Sequence, residues 1–490
     1  FCLILIVMLM KNKSIWLDVK NKALKRVTKD LECDTLVVGG GITGMSTLYQ
    51  LRKNNVKALL IERNKCGEGV TARSTAKITY LQEKEYMNIC RFGKVDLAKG
   101  YLESQITAVK ELKRIIDKEN ITCDLKKSES LLFTNDEENK VKLLEEYNFL
   151  KESGVDAEFV ENGENFKYAI KVSDTYLFHP VKYVIGLKNI LQECVYENSK
   201  LEKISREDGV YKCHVNNHVI KCRHVVIATH YPYFILPLLF PFKNHVETSY
   251  VGAVKVREFK NVNAINIDNE TISYRYHQDD KNNYLIYLTN SLASPNIKSI
   301  KDNFENLKKK YNFDYVWSNK DIITNDYLPL IGKLDEDDDG VLLACGYNTW
   351  GMTNATLASM ILRDIILKRQ NKYIELFRPD RLLSWNKVVR FFPDAYGSVK
   401  AILKSNKGNV NNSRVIYTKL DGKNVAIYKD ENNKEHIVLN RCPHMKCGLV
   451  FNEVEKTWDC LCHGSRYDID GKCIEGPSNH DITFKDSEED

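Results

Sequence analysis

No stretch of this 490-residue chain is apolar for long enough to cross a bilayer as a helix. The longest apolar run, Phe1 to Met10, would span about 15 Å, half of a bilayer's hydrocarbon core. It lacks a preceding basic region and a following small-residue cleavage site, and it stops at Lys11-Asn12-Lys13. Residues 1–9 are therefore expected to be upstream or extraneous sequence, Met10 to open a soluble chain, and membrane association is not expected. No basic stripe is present either. The 72 Lys and Arg against 66 Asp and Glu leave a dispersed net charge of +6, which argues against a nucleic-acid partner. No internal repeat is visible. With 43% hydrophobic and 28% charged residues, a disordered class is excluded. Most of the 14 cysteines stand singly, so they do not form a disulfide framework. That usage fits a reducing compartment, and a cytoplasmic location is expected. Length suggests two or three domains.

The exception among the cysteines is a pair of loops near the C-terminus. One reads Cys442-Pro443-His444-Met445-Lys446-Cys447 and the other Cys460-Leu461-Cys462-His463-Gly464-Ser465. Residues 445 to 459 separate His444 from Cys460. Two thiolates and two imidazoles in this pairing suit a [2Fe–2S] cluster with cysteines on one iron and histidines on the other. Zinc also takes two Cys and two His, but its ribbons and fingers do not usually pair them as Cys-x-His and Cys-x-x-His with two extra cysteines between. His214, His218, Cys222 and His224 look like a further metal set. Asn216-Asn217 reads as a hairpin turn, so alternation along the strands sends these side chains to opposite faces.

Near the N-terminus, Cys33 to Gly39 is an apolar strand, Gly44 to Lys53 a helix and Val56 to Glu62 a second strand. This βαβ unit carries G-x-G-x-x-G at Gly39, Gly41 and Gly44. The first glycine allows the turn, the second admits a pyrophosphate, and the third lets the helix sit close to the strand. Glu62 follows at the second strand's end, where a ribose hydroxyl needs an acceptor. A dinucleotide site is expected, and the pattern alone does not choose between FAD and NAD. Helices are expected over about 94–119 and 137–152. Strands are expected over 200–229, 245–292 and 341–345, with a long helix from Gly351 to about Leu367. Residues 376–412 read as a junction ahead of short strands and turns.

Residues 30–375 resemble the FAD-dependent oxidoreductases of the D-amino-acid oxidase family, which includes glycine and sarcosine oxidases. The fingerprint, Thr71 to Lys77, Ala228-Thr229 and Gly346 to Thr353 carry the resemblance. It implies FAD held by Gly39, Gly41, Gly44, Glu62, Ser74, Thr75, Lys77, Thr229, Gly346, Gly351, Met352 and Thr353. The helix starting at Gly351 would face the flavin pyrimidine ring. The last eighty residues resemble Rieske domains, especially those of cytochrome bc complexes. That resemblance implies Cys442 and Cys460 on one iron, His444 and His463 on the other, and a Cys447–Cys462 disulfide clamping the loops. It also implies a Ser465 hydroxyl on a bridging sulfide and Tyr467 on a ligand sulfur. Together these bonds predict a potential in the upper half of the range of about −150 to +300 mV. Lys446 departs from the usual glycine.

The expected architecture is α/β plus β. A Rossmann-like FAD-binding domain (31–375) with an antiparallel-sheet substrate subdomain (roughly 80–200 and 240–320) follows an N-terminal extension (1–30). A linker (376–412) leads to a small all-β Rieske [2Fe–2S] domain (413–490). The two centres imply that an amine or amino-acid-like substrate reduces flavin, flavin reduces the cluster, and the cluster reduces an external acceptor. His179, Tyr274 and Arg275 are the catalytic candidates, Arg275 as a bidentate carboxylate clamp, with Tyr183, Tyr276 and His277 as further pocket residues. Competing readings are an NAD(P)H-dependent reductase feeding an oxygenase, an O2-using oxidase with a structural cluster, and a non-enzymatic redox relay or sensor. The reductase plan needs a second dinucleotide fingerprint, and the sequence carries none.

Overall fold

A computed structural model describes residues 11–92, 95–232, 244–293, 305–306, 308–309, 311–335, 338–381, 414–444, 446–453, 455–460, 464–476, 478 and 480–484. Thr35–Val38 is buried along its whole length and lies inside a six-stranded sheet. Its neighbours Ala58–Ile61 and His224–Ile227 run parallel to it, as does Asp338–Cys345 beyond them. Only Leu330–Asp335 at the edge is antiparallel. Such strands, covered on both faces, are uniformly apolar.

Helix Ile42–Lys53 packs against helix Gly351–Ile366, and both are buried on most faces. Helix Val95–Lys118 covers them with a stripe from Ala98 through Tyr101, Gln105, Ala108, Leu112 and Ile116, at the three-to-four spacing of one helical face. The expected helix over 94–119 is found within a residue of each end.

The second layer is a nine-stranded sheet. Its strands come from residues 77–78, 126–134, 157–177, 244–293 and 315–324. The 201–222 segment forms a hairpin in a separate four-stranded sheet, turning at Asn216 and Asn217 with φ of 50° and 64°. His214, His218, Cys222 and His224 do not gather, and no metal-capable group of three occurs among the described residues.

The C-terminal domain is all β, a three-stranded sheet (Val415–Leu439) beside a four-stranded one (Leu449–Glu475). Val415, Tyr428, Phe451, Trp458 and Tyr467 fill the space between them. Among the described residues, no helix is long and apolar enough to cross a membrane.

Candidate functional site

Two cavities adjoin at the C-terminal ends of the parallel strands. They measure 570 and 440 Å³, and a separate cavity of 760 Å³ lies elsewhere on the molecule. The 570 Å³ cavity is lined by Gly39, Gly41, Glu62, Ser74, Thr229, Gly351 and Met352. Its floor requires glycine. A Cβ on Gly44 would lie 1.8 Å from the Gly39 carbonyl oxygen, and one on Gly39 (φ +111°) would lie 2.5 Å from that of Ala228. Glu62 accepts from the Gly40 amide at 2.7 Å and the Asn64 amide at 2.9 Å. Thr71 Oγ1 accepts from the Ile42 amide at 3.0 Å and so holds the helix start in place. Open glycine backbone, a helix N-terminus and a strand-end carboxylate together fit an extended dinucleotide.

Ser74, Asn319, Asp321, Thr349 and Met352 line both cavities. The 440 Å³ cavity adds Thr75, Lys77, Glu85, Glu247, Ser249, Asn348 and Trp350. Glu85 Oε2, Ser249 Oγ, Asn319 Oδ1, Asn348 Nδ2 and Trp350 Nε1 are buried there without a hydrogen-bond partner. Unmet polar atoms gathered at one cavity mark a place where a polar ligand sits. Lys77 is 5% exposed, and its Nζ donates to Ala264 O at 2.7 Å and Ser273 Oγ at 2.5 Å. Burial pulls its ammonium down to about 7, with Arg275 adding to the shift. Burial pushes the Asp321 carboxyl up to about 7, and Glu247 opposite adds to it.

The other expected residues lie differently. Gly346 (φ +68°) makes the turn beyond its strand, and Thr353 donates to Trp350 O and accepts from Gln82; neither lines either of the two adjoining cavities. The three catalytic candidates line neither of the adjoining cavities. His179 caps helix Pro180–Ile190 through Nδ1, which accepts from the Lys182 amide at 3.2 Å. With His277 it borders the separate 760 Å³ cavity. Arg275 Nε and Nη1 donate to the carbonyls of Tyr276, Ala76, Phe178 and Thr75, which ties down the Ser74–Lys77 segment. Tyr274 packs on Phe133 on the far side of the sheet.

The two C-terminal loops share one backbone design. The Cys442 amide donates to Cys447 O, and the Lys446 amide to Cys442 O, both at 2.8 Å. Likewise the Cys460 amide donates to Ser465 O at 2.7 Å, and the Gly464 amide to Cys460 O at 3.0 Å. The fifth residue of each loop is left-handed, Lys446 at φ 60° and Gly464 at φ 78°. Cys442 and Cys460 are buried beneath these turns. The Cys442 thiol is held down to about 6, first by the Cys460 thiol beside it, while burial opposes this and Tyr467 assists. Tyr467 Oη lies 3.2 Å from Cys442 Sγ, and Ser465 Oγ accepts from the Ser478 amide at 2.9 Å. Paired soft sulfur donors fit an iron–sulfur centre. Cys462 and His463 lie outside the described residues.

The sequence reading missed the contact between the domains. Strand Tyr315–Thr324 is buried almost throughout. Asn319 and Asp321 face the cavities, while Ser318 and Lys320 face the C-terminal domain. Lys320 Nζ donates to Gly464 O at 2.5 Å. Arg466 bonds Ser318 Oγ at 2.9 Å and pairs with Asp459 and Glu455, both at 2.9 Å. The neighbouring strand Asn244–Val256 behaves the same way. Glu247 and Ser249 face the cavity, while a Cβ on Gly464 would lie 3.3 Å from Val246 and Tyr250 accepts from Asn452. The Tyr231 ring, beside the 570 Å³ cavity, meets His444 edge-on at 6.3 Å between centroids.

The fold and the two sites define a flavoprotein oxidoreductase joined to an iron–sulfur domain. The chain belongs to the FAD dependent oxidoreductase family, whose match spans residues 34–365, and a Rieske [2Fe-2S] domain matches residues 401–484. Its first domain binds FAD and its second a [2Fe–2S] cluster. The chain is 28% identical over 483 residues to the putative Rieske 2Fe-2S iron-sulfur protein YhfW of Bacillus subtilis (strain 168), covering 92% of each. Forty-five residues are 40% identical to cytochrome b6-f complex iron-sulfur subunit 2 of Trichormus variabilis, covering 9% of this chain and 25% of that one. Among solved structures, glycine oxidase from Geobacillus kaustophilus shares the fold with a TM-score of 0.59 at 15% identity, over 72% of this chain and all (100%) of that one.

Proposed function

We propose that the chain oxidises the C–N bond of an amine or amino-acid-like substrate in the 440 Å³ cavity and passes the electrons singly through the Rieske centre to an external acceptor. Bound FAD supplies hydride acceptance with one-electron release, and a bound [2Fe–2S] cluster supplies one-electron carriage. The observation that carries the reading is the wall the two sites share. Neighbouring residues on one strand, Asn319 and Lys320, serve opposite sides of it.

Within the cavity, the chain's own work is to bind and deprotonate. A substrate ammonium must lose its proton before the C–N bond can be oxidised. Lys77 Nζ, neutral above about 7, is the group assigned to take it. Asn348, Ser249 and Trp350 supply polar atoms that orient the ligand. Cys442, His444, Cys460 and His463 are assigned as cluster ligands, with a Cys447–Cys462 bond clamping the loops. Cys447 is buried and is not among the free thiols of the described residues, which supports that pairing.

The test is an anaerobic screen of primary amines, N-methyl amino acids and amino acids for bleaching of the flavin. The expected result is bleaching by at least one of these, followed by the paramagnetic signal of the reduced cluster. Bleaching by NADH and by none of them would replace this reading with the reductase one.

A further inference from the structure

The N-terminal domain does not close the 570 Å³ cavity by itself. Ile474, Glu475 and Gly476 of the C-terminal domain form part of its wall. Arg63, next to Glu62, pins them there. Its Nη2 donates to Ile474 O at 2.6 Å, and its Nη1 reaches Cys473 Sγ at 3.8 Å. Gly476 lies beside Tyr231, whose carbonyl oxygen would be 3.9 Å from a Cβ placed there.

Glu475 is the unusual member. Both carboxylate oxygens are buried, and neither has a hydrogen-bond partner. The cation at Arg466 Nη1 stands 4.0 Å from Oε2, too far to donate a hydrogen bond. Burial alone would neutralise the acid, yet Lys320, Arg73, Arg466 and His230 hold it below the usual carboxylate range, so it stays ionised. An ionised carboxylate with two bare acceptors needs two donors. Among the described residues none donates to them, and the carboxylate borders the cavity, whose contents can.

We propose that Glu475 is a cofactor-binding residue contributed across the domain boundary, its two oxygens accepting from hydroxyls of the ribityl chain of FAD. Glu62 is assigned to the adenosine ribose at the strand end, and Arg73, one of the cations around Glu475, lines this cavity next to Ser74, which borders both cavities, so Glu475 is assigned to the end nearer the substrate site. The C-terminal domain therefore holds the flavin in place as well as its own cluster. Binding of the dinucleotide and docking of the iron–sulfur domain become mutually stabilising, because the cavity takes part of its wall from the C-terminal domain and linkage is reciprocal. The inference rests on FAD occupying this cavity and is independent of which substrate is oxidised or where the electrons go.

The experiment measures FAD release from full-length protein loaded with both centres, followed by the rise in free-flavin fluorescence after dilution, without substrate. Glu475→Ala is expected to release FAD at least about tenfold faster, the loss of a hydrogen bond to a charged group. Glu475→Gln, which keeps one acceptor, is expected to fall between. Arg63→Gln, made in the other domain, is expected to speed release as well. An unchanged paramagnetic spectrum of the reduced cluster shows that the C-terminal domain remains folded. If Glu475→Ala disturbs that spectrum, the isosteric Glu475→Gln decides. Release within twofold of the unaltered protein, with the cluster spectrum intact, overturns the assignment and leaves electron passage between the centres untouched. Conversely, a flavin that is held through Glu475 but never reduces the cluster defeats the proposed electron path and spares this one.

Discussion

Replacing Tyr467 with Phe removes one oxygen and nothing else from the cluster site. That hydroxyl lies 3.2 Å from Cys442 Sγ, in a pocket where Tyr467 is fully buried. A hydrogen bond to a charged partner is worth about 1.5–3 kcal/mol. It exists in both oxidation states, so only its strengthening on reduction, when the sulfur becomes more negative, enters the potential. If roughly a third to a half of the bond is at stake, the difference is about 0.5–1.5 kcal/mol, or on the order of 20–60 mV for one electron. The direction is downward, because the reduced state loses more. A potentiometric titration followed by paramagnetic resonance measures it, with the flavin absorbance as an internal check that the first domain is unchanged. A potential that stays put or rises in Tyr467→Phe would refute the reasoning that this hydroxyl stabilises the reduced centre.

Gly44→Ala is expected to abolish FAD retention, since its Cβ would overlap the Gly39 carbonyl oxygen; absorbance of the purified protein checks it. Lys446→Gly is expected to raise the melting temperature of the cluster-loaded protein, because a non-glycine residue at φ 60° costs about 1–2 kcal/mol there, less what glycine's extra chain entropy returns. Lys77→Met is expected to lower the rate of flavin reduction by substrate about 10²–10⁴-fold if Lys77 takes the proton. In the unaltered protein that rate should rise with pH through about 7, as the ammonium with its lowered pKa loses its proton, and the rise should vanish in Lys77→Met.

The parallel sheet was legible because its strands are short apolar runs and its fingerprint glycines answer to backbone sterics. The cluster loops were legible because soft-metal chemistry restricts the residue types that can serve. Strand Tyr315–Thr324 was not. Its centre, Ser318-Asn319-Lys320-Asp321, has the composition of a loop, yet it is buried on both faces. Two of its polar side chains meet partners that are remote in sequence. Ser318 meets Arg466 and Lys320 meets Gly464. A period-two pattern signals one wet face and one dry face, and this strand has neither. The structural work of His179 and Arg275 was not legible for a related reason. A histidine before proline and an arginine on a strand look chemical, but here one caps a helix and the other fastens backbone carbonyls. Glu475 gave no signal at all, because its significance depends on residues of the other domain, such as Arg63 and Lys320, that are remote in the chain.

The central claim is that the flavin and the Rieske centre exchange single electrons across the wall formed by Asn244–Val256 and Tyr315–Thr324. The most direct measurement is to bleach the flavin anaerobically in one turnover, freeze at intervals and record the cluster's paramagnetic signal. The account predicts that the signal grows as the flavin colour begins to return. A flavin that stays bleached beside a cluster that remains oxidised and silent would contradict it.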